Sequence, residues 1–144
     1  MRAVSISLKI PDNAAYTALV ALRRLGVDVD RVERSELWFF EDDGEVGALA
    51  KRIVADETIF NPNKHRFRVL ERASPRAGEV WIESLAASSH GPAATAWRLF
   101  DAHGAPVKRG VLDAAIERLL CNPAIDRAVT NGDANDRDIP FASE

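Results

Sequence analysis

Cysteine is almost missing from this chain of 144 residues. Cys121 stands alone, so no internal disulfide can form and a Cys-based zinc site is excluded. Surplus positive charge is missing too. The 19 Lys+Arg face 22 Asp+Glu, a net charge of -3, whereas a protein that lives on phosphate-backbone contacts carries a basic excess. That balance argues against nucleic acid as a partner. No apolar run approaches the ~20 residues that cross a bilayer. The opening MRAVSISLKI alternates polar with apolar residues and does not read as a signal peptide. Neither Gly-x-Gly-x-x-Gly nor Gly-Lys-Ser/Thr occurs, so no ready-made phosphate cradle is written in the chain. These absences point to a soluble, cytoplasmic protein with no membrane contact. What is present is apolar: 47% of the residues, enough for a chain of this length to bury roughly two-thirds of its unfolded surface.

Val4, Ile6, Leu8 and Ile10 alternate with polar or small residues, the period of a strand with one buried face. Pro11 stops it, and Asp12 or Asn13 can cap the helix that follows. Ala15, Ala18, Leu19, Leu22 and Leu25 form its apolar stripe, and Gly26 is a natural left-handed stop. Val29 to Glu41 suits a tight strand pair or one bent strand, closed by the turn Glu41-Asp42-Asp43-Gly44. A second helix carries Val46, Leu49, Ala50, Ile53 and Val54. Asn61-Pro62-Asn63 breaks the chain before a strand in which Phe67 and Val69 alternate with Arg66 and Arg68. The order over residues 3 to 71 reads β-α-β-β-α-β, the split pattern of ferredoxin-like units.

Ser74-Pro75-Arg76-Ala77-Gly78 reads as a linker. Beyond it comes a strand around Val80, Trp81 and Ile82, then a helix opened by Gly91-Pro92 and carrying Ala93, Ala96, Trp97 and Phe100. Val111 to Cys121 forms another helix, Asn122-Pro123 breaks it, and Ile125 to Val129 makes a last strand. Each half thus runs strand, helix, connection, helix, Asn-Pro, strand. The Asn-Pro pairs at 61–62 and 122–123 are consistent with an internal duplication, and chance likeness is the rival account.

Reactive groups do not cluster. His65, His90 and His103 lack the spacing of a helical metal pair, and capping or surface roles suit them. Ser88-Ser89-His90 juxtaposes a serine with a histidine, but a catalytic pair needs geometry rather than adjacency. The Glu41–Glu45 cluster lacks the alternation of a calcium loop and reads as a solvated turn. Any phosphate site would be improvised from helix N-termini near Asp12 and Gly91. Cys121 suits a small buried hydrophobe. Arg66, Arg68 and Arg72 share one side of a strand, where they could grip an anion or protect an edge from aggregation.

Several of these segments resemble the PurS family, the small subunit of phosphoribosylformylglycinamidine synthase. The likeness lies in Leu8-Lys9-Ile10-Pro11-Asp12, in Leu22-Arg23-Arg24-Leu25-Gly26, and in Val32-Glu33-Arg34 with Leu37-Trp38-Phe39-Phe40. The helix exit Leu119-Leu120-Cys121-Asn122-Pro123-Ala124-Ile125 carries it further, and Lys108 to Asp113 is similar to the family's opening motif. The first copy departs from the family by lacking Gly-Val-Leu-Asp-Pro after its lysine, and by the added Phe60 to His65 segment. The resemblance implies an α+β protein of two ferredoxin-like, PurS-like units packed through their sheets. The units fall at 1–72 and, reduced, at 79–130, with a linker at 73–78 and a polar tail at 131–144. It also implies an accessory subunit without catalytic residues or cofactor. Such a subunit helps synthetase and glutaminase subunits assemble and pass ammonia in purine biosynthesis.

The aromatic residues carry the last expectation. Leu37 and Phe39 point to one face of their strand, and Trp38 and Phe40 to the other. Helices cover one face only, so Trp38, Phe40 and Trp81 are expected on the second, as an interface with the other half, a second copy or a partner subunit. Two other functions stay open: a small-molecule-sensing module, and a small hydrolase or lyase using His90 or His103.

Overall fold

Alternation along the N-terminal residues produces β1 (Arg2–Leu8), with Val4 and Ile6 buried. The computed structural model describes residues 2–40, 45–85 and 91–131. Asp12 caps α1 (Asn13–Arg24): its carboxylate accepts from the amides of Ala14 and Ala15 at 2.9 and 3.1 Å. Ala15, Ala18 and Leu22 form the buried stripe, and Gly26, at φ +82°, turns the chain out of the helix. Next come β2 (Arg31–Phe40), α2 (Val46–Ala55) and β3 (His65–Val69). The second half supplies β4 (Glu79–Ser84), β5 (Ala94–Phe100), α3 (Arg109–Ala115) and β6 (Asp126–Thr130). The turn Ile116–Leu120, wound as a π-helix, extends α3.

The protein is α+β, with one six-stranded antiparallel sheet in the order β3-β1-β2-β5-β4-β6. Its halves meet edge to edge through β2 and β5, from Arg31↔Phe100 to Leu37↔Ala94. Within this sheet there is no sheet-on-sheet layer of the kind expected from packing two units together. Helices α1, α2 and α3 lie on the same face. Val32, Val80 and Leu99 pack with Ala15 and Leu22 of α1 and with Leu112 and Ala115 of α3. On the same face Val4 and Ile6 pack with Leu49 and Ile53 of α2. Residues 70–78 then carry the chain from edge strand β3 past three strands to β4.

Three expectations change. Of the two forms open for Val29 to Glu41, the single strand holds and the strand pair needed by the β-α-β-β-α-β order does not: β2 is one ten-residue strand, because pairing along both edges, with β1 and β5, holds it extended. The first half is therefore β-α-β-α-β. The segment after Gly91-Pro92 is β5 rather than a helix, so Gly91 opens no helix N-terminus. Ala93, Ala96, Trp97 and Phe100 fit a helical stripe, yet Ala94 and Ala96 also alternate with Thr95 and Trp97, and hydrogen bonding to β2 and β4 decides for the strand. Finally, Trp38 and Phe40 face the helices. Trp38 stands opposite Val4, and both rings pack against the cluster built on Leu49 and Ile53 of α2. Trp81 lies on the far face with Leu37 and Phe39, 3% exposed, its ring centroid 5.9 Å from that of Phe39.

The two Asn-Pro turns have the same hydrogen bonds. Asn61 Oδ1 accepts from the amide of Asn63, its carbonyl from the amides of Lys64 and His65, and its N–H donates to His65 Nδ1. Asn122 Oδ1 accepts from Ala124, its carbonyl from Ile125 and Asp126, and its N–H donates to Asp126 Oδ2. Each turn leads into an edge strand, so Arg66 corresponds to Arg127 and Arg68 to Val129. Through the strand pairing, Ser7 corresponds to Glu83, Ile6 to Ile82, Ser5 to Trp81 and Val4 to Val80.

Candidate functional site: an arginine-walled fork in the sheet

The ladder between β1 and β2 ends at Ile6↔Glu36. Beyond that point β1 follows β3 to Leu8↔His65, and the Lys9 amide continues to the Lys64 carbonyl at 2.8 Å. In the other prong β2 follows β5 to Arg31↔Phe100. The sheet therefore forks, and a cleft of about 690 Å³ opens there. Ala15, Tyr16 and Leu19 of α1 line it from the helix side.

On the far face the cleft has small side chains in the middle and arginines at the sides. Ser5 and Ser7 from β1, Ser35 from β2 and Ala96 from β5 contribute the small ones. Arg68 and Arg66 of β3 stand directly across from Ser5 and Ser7. Arg98 of β5 stands across from Glu33, and Arg76 reaches in from the segment before β4. Where the sheet is continuous, β3 and β5 are three strand spacings apart, about 14 Å, which two arginine arms can bridge between them.

The charges in the cleft do not cancel. Its carboxylates are already taken: Asp12 by Arg34 at 3.7 Å, Glu33 by Arg31 at 3.6 Å and Glu79 by Arg76 at 3.1 Å. Among the described residues, Arg66, Arg68 and Arg98 have no carboxylate partner. Arg66 donates to the Lys9 carbonyl at 3.5 Å, and Arg98 to the Ala77 carbonyl at 3.1 Å. Burial, and next the positive charge of Arg76, pull the Arg98 guanidinium below its ordinary pKa. Arg68 adds to this, while Glu79 and Glu33 oppose it. An anion in the cleft would favour the charged form of Arg98 and satisfy planar forks that bind carboxylate or phosphate oxygens in pairs.

The corresponding place in the second half is closed. Glu83 stands opposite Arg127 and takes its guanidinium in an ion pair, with Arg127 Nε donating to Glu83 Oε1 at 2.8 Å. Trp81 and Val129 stand where the first half has Ser5 and Arg68. One half thus presents serines facing arginines that have no carboxylate partner among the described residues, the other an indole and a neutralised pair.

The residues singled out from sequence are scattered. Trp38, Phe40 and Trp81 lie on two different faces, and none of them lines the cleft. His65 serves its own turn, and His103 sits in the turn after β5 rather than at a helix end. His90, Ser88, Ser89 and residues 41–44 lie outside the described residues, as does the tail beyond Asn131. Among the described residues no group of three or more His, Cys, Asp or Glu could hold a metal, and no helix is long and apolar enough to cross a membrane. Cys121 is half-buried beside the α1–α3 core. Arg66 and Arg68 were legible from their alternation with Phe67 and Val69; Arg72 falls after β3 ends. Arg98 was hidden because its segment reads equally well as a helix. Ser5, Ser7 and Ser35 carry no signal until the register places them together.

No protein-family model, no curated protein and no solved structure matches the chain.

Proposed function

We propose that this protein is a non-catalytic binding module that takes a small organic anion in the fork between β1 and β2. The observation that carries the reading is the set of three guanidiniums, Arg66, Arg68 and Arg98, that line one cleft together with small side chains and have no carboxylate partner among the described residues. Surface arginines ordinarily stay solvated or pair loosely. Here one of them is depressed in pKa by burial and like charge, an arrangement that an anionic ligand would relieve. The free thiol of Cys121 suits a reducing compartment such as the cytoplasm.

The matching Asn-Pro turns and paired strand positions support descent from a duplicated unit in which one copy kept an open site and the other filled it. That history also favours a second reading, a tandem PurS-like accessory subunit working with synthetase and glutaminase subunits or with a second copy of itself. Co-purification with such subunits would support it.

Thermal unfolding tests the first reading. Inorganic phosphate, against chloride at equal ionic strength, is expected to raise Tm, since a ligand at a hundred times its Kd stabilises the native state by about 2.7 kcal/mol. Arg68→Ala is expected to remove the rise. Equal Tm in the two salts contradicts the reading.

A further inference from the structure

Resting on that reading, we infer the class of ligand: a phosphate monoester with an apolar body. Its phosphate would lie among Arg66, Arg68 and Arg98, and its body along the fork against α1. Charge selects the head group. Three guanidiniums without a carboxylate partner among the described residues line the one cleft and outnumber a single carboxylate, whereas a phosphate monoester carries about −1.5 to −2 at neutral pH and three terminal oxygens. Serines 5, 7 and 35 add neutral hydroxyl donors on the same face.

The walls select the body. A cleft of about 690 Å³ is of the size that encloses organic ligands and far larger than a bare anion needs. Its helix-side lining is largely apolar, with Leu8, Ile10, Ala15, Leu19 and Val32. Ile10 and Tyr16, which line the same cleft, are 65% and 67% exposed. An inorganic ion would leave those two side chains in water; an alkyl or aryl group would cover them. In the second half Trp81 and the Glu83–Arg127 pair occupy the equivalent position, so among the described residues the duplicated pattern offers this site once.

Isothermal calorimetry with inorganic phosphate, then methyl, butyl and hexyl phosphate, tests this on the full chain. One ligand per chain is expected, with affinity rising up to about fourfold for each methylene that enters the fork. Ile10→Ala and Tyr16→Ala alter exposed side chains, so the fold should persist. Both are expected to weaken hexyl phosphate and leave inorganic phosphate unchanged. Ser7→Glu, which copies the Glu83–Arg127 pairing onto Arg66, is expected to abolish both. Affinity independent of chain length overturns the inferred body while the anion site stands, and hexanoate binding as tightly as hexyl phosphate overturns the phosphate head. Failure of phosphate and of every ester to bind overturns the anion site as well. Sedimentation with phosphatidylcholine vesicles containing phosphatidic acid separates the two sources of a monoester. Pelleting assigns a bilayer head group, and its absence alongside hexyl phosphate binding assigns a free metabolite.

Discussion

Gly78 shows how tightly single positions are constrained. Its φ is +72°, and a Cβ there would stand 2.8 Å from Pro106 Cβ and 2.9 Å from the Leu99 carbonyl oxygen. Gly78→Ala is therefore expected to cost more than about 1 kcal/mol, read as a lower urea midpoint at unchanged slope. Cys121 is constrained differently. Burial, then the negative charge of Asp126, push its thiol above the ordinary value. A raised pKa means less thiolate at neutral pH, so the alkylation rate plotted against pH should turn upward later than for free cysteine. A profile matching free cysteine would contradict that assignment. At this scale the sequence was partly readable. Alternation exposed Arg66 and Arg68, while nothing local marks Ser7 as facing one of them across a strand pair.

Among elements, caps and turns were legible where side-chain chemistry is local. Asp12 caps α1 as its position after Pro11 suggests, and it also holds Arg34. Asp12→Ala is expected to destabilise by about 1 kcal/mol in urea unfolding, with no loss if the cap is idle. The Asn-Pro breaks were visible as breaks, but only their hydrogen bonds show them to be the same device. Asn61→Ala and Asn122→Ala should therefore cost similar amounts, about 0.5–1.5 kcal/mol each, and very different costs would argue against equivalent turns. Residues 94–100 mark where local reading fails. Two periods fit the same seven residues, and the deciding hydrogen bonds come from β2 and β4, distant in sequence.

Over the whole molecule, the edge-to-edge join of β2 and β5 makes one helix-backed sheet from two halves that the sequence outlines separately. The aromatic expectation failed on faces rather than on burial. Strand alternation correctly separated Trp38 from Leu37, but which face the helices would cover depended on α2, packed against the Trp38 side. The cleft belongs to this scale as well, since it exists only because β1 and β2 part company after Ile6↔Glu36. The most direct measurement is an amide-resolved NMR titration of the nitrogen-15-labelled protein with inorganic phosphate at constant ionic strength. The account predicts saturable shifts centred on Ser5, Ser7, Ser35, Arg66, Arg68 and Arg98, with Glu83 and Arg127 unmoved. Shifts that never saturate, or that centre on the second half, would contradict it.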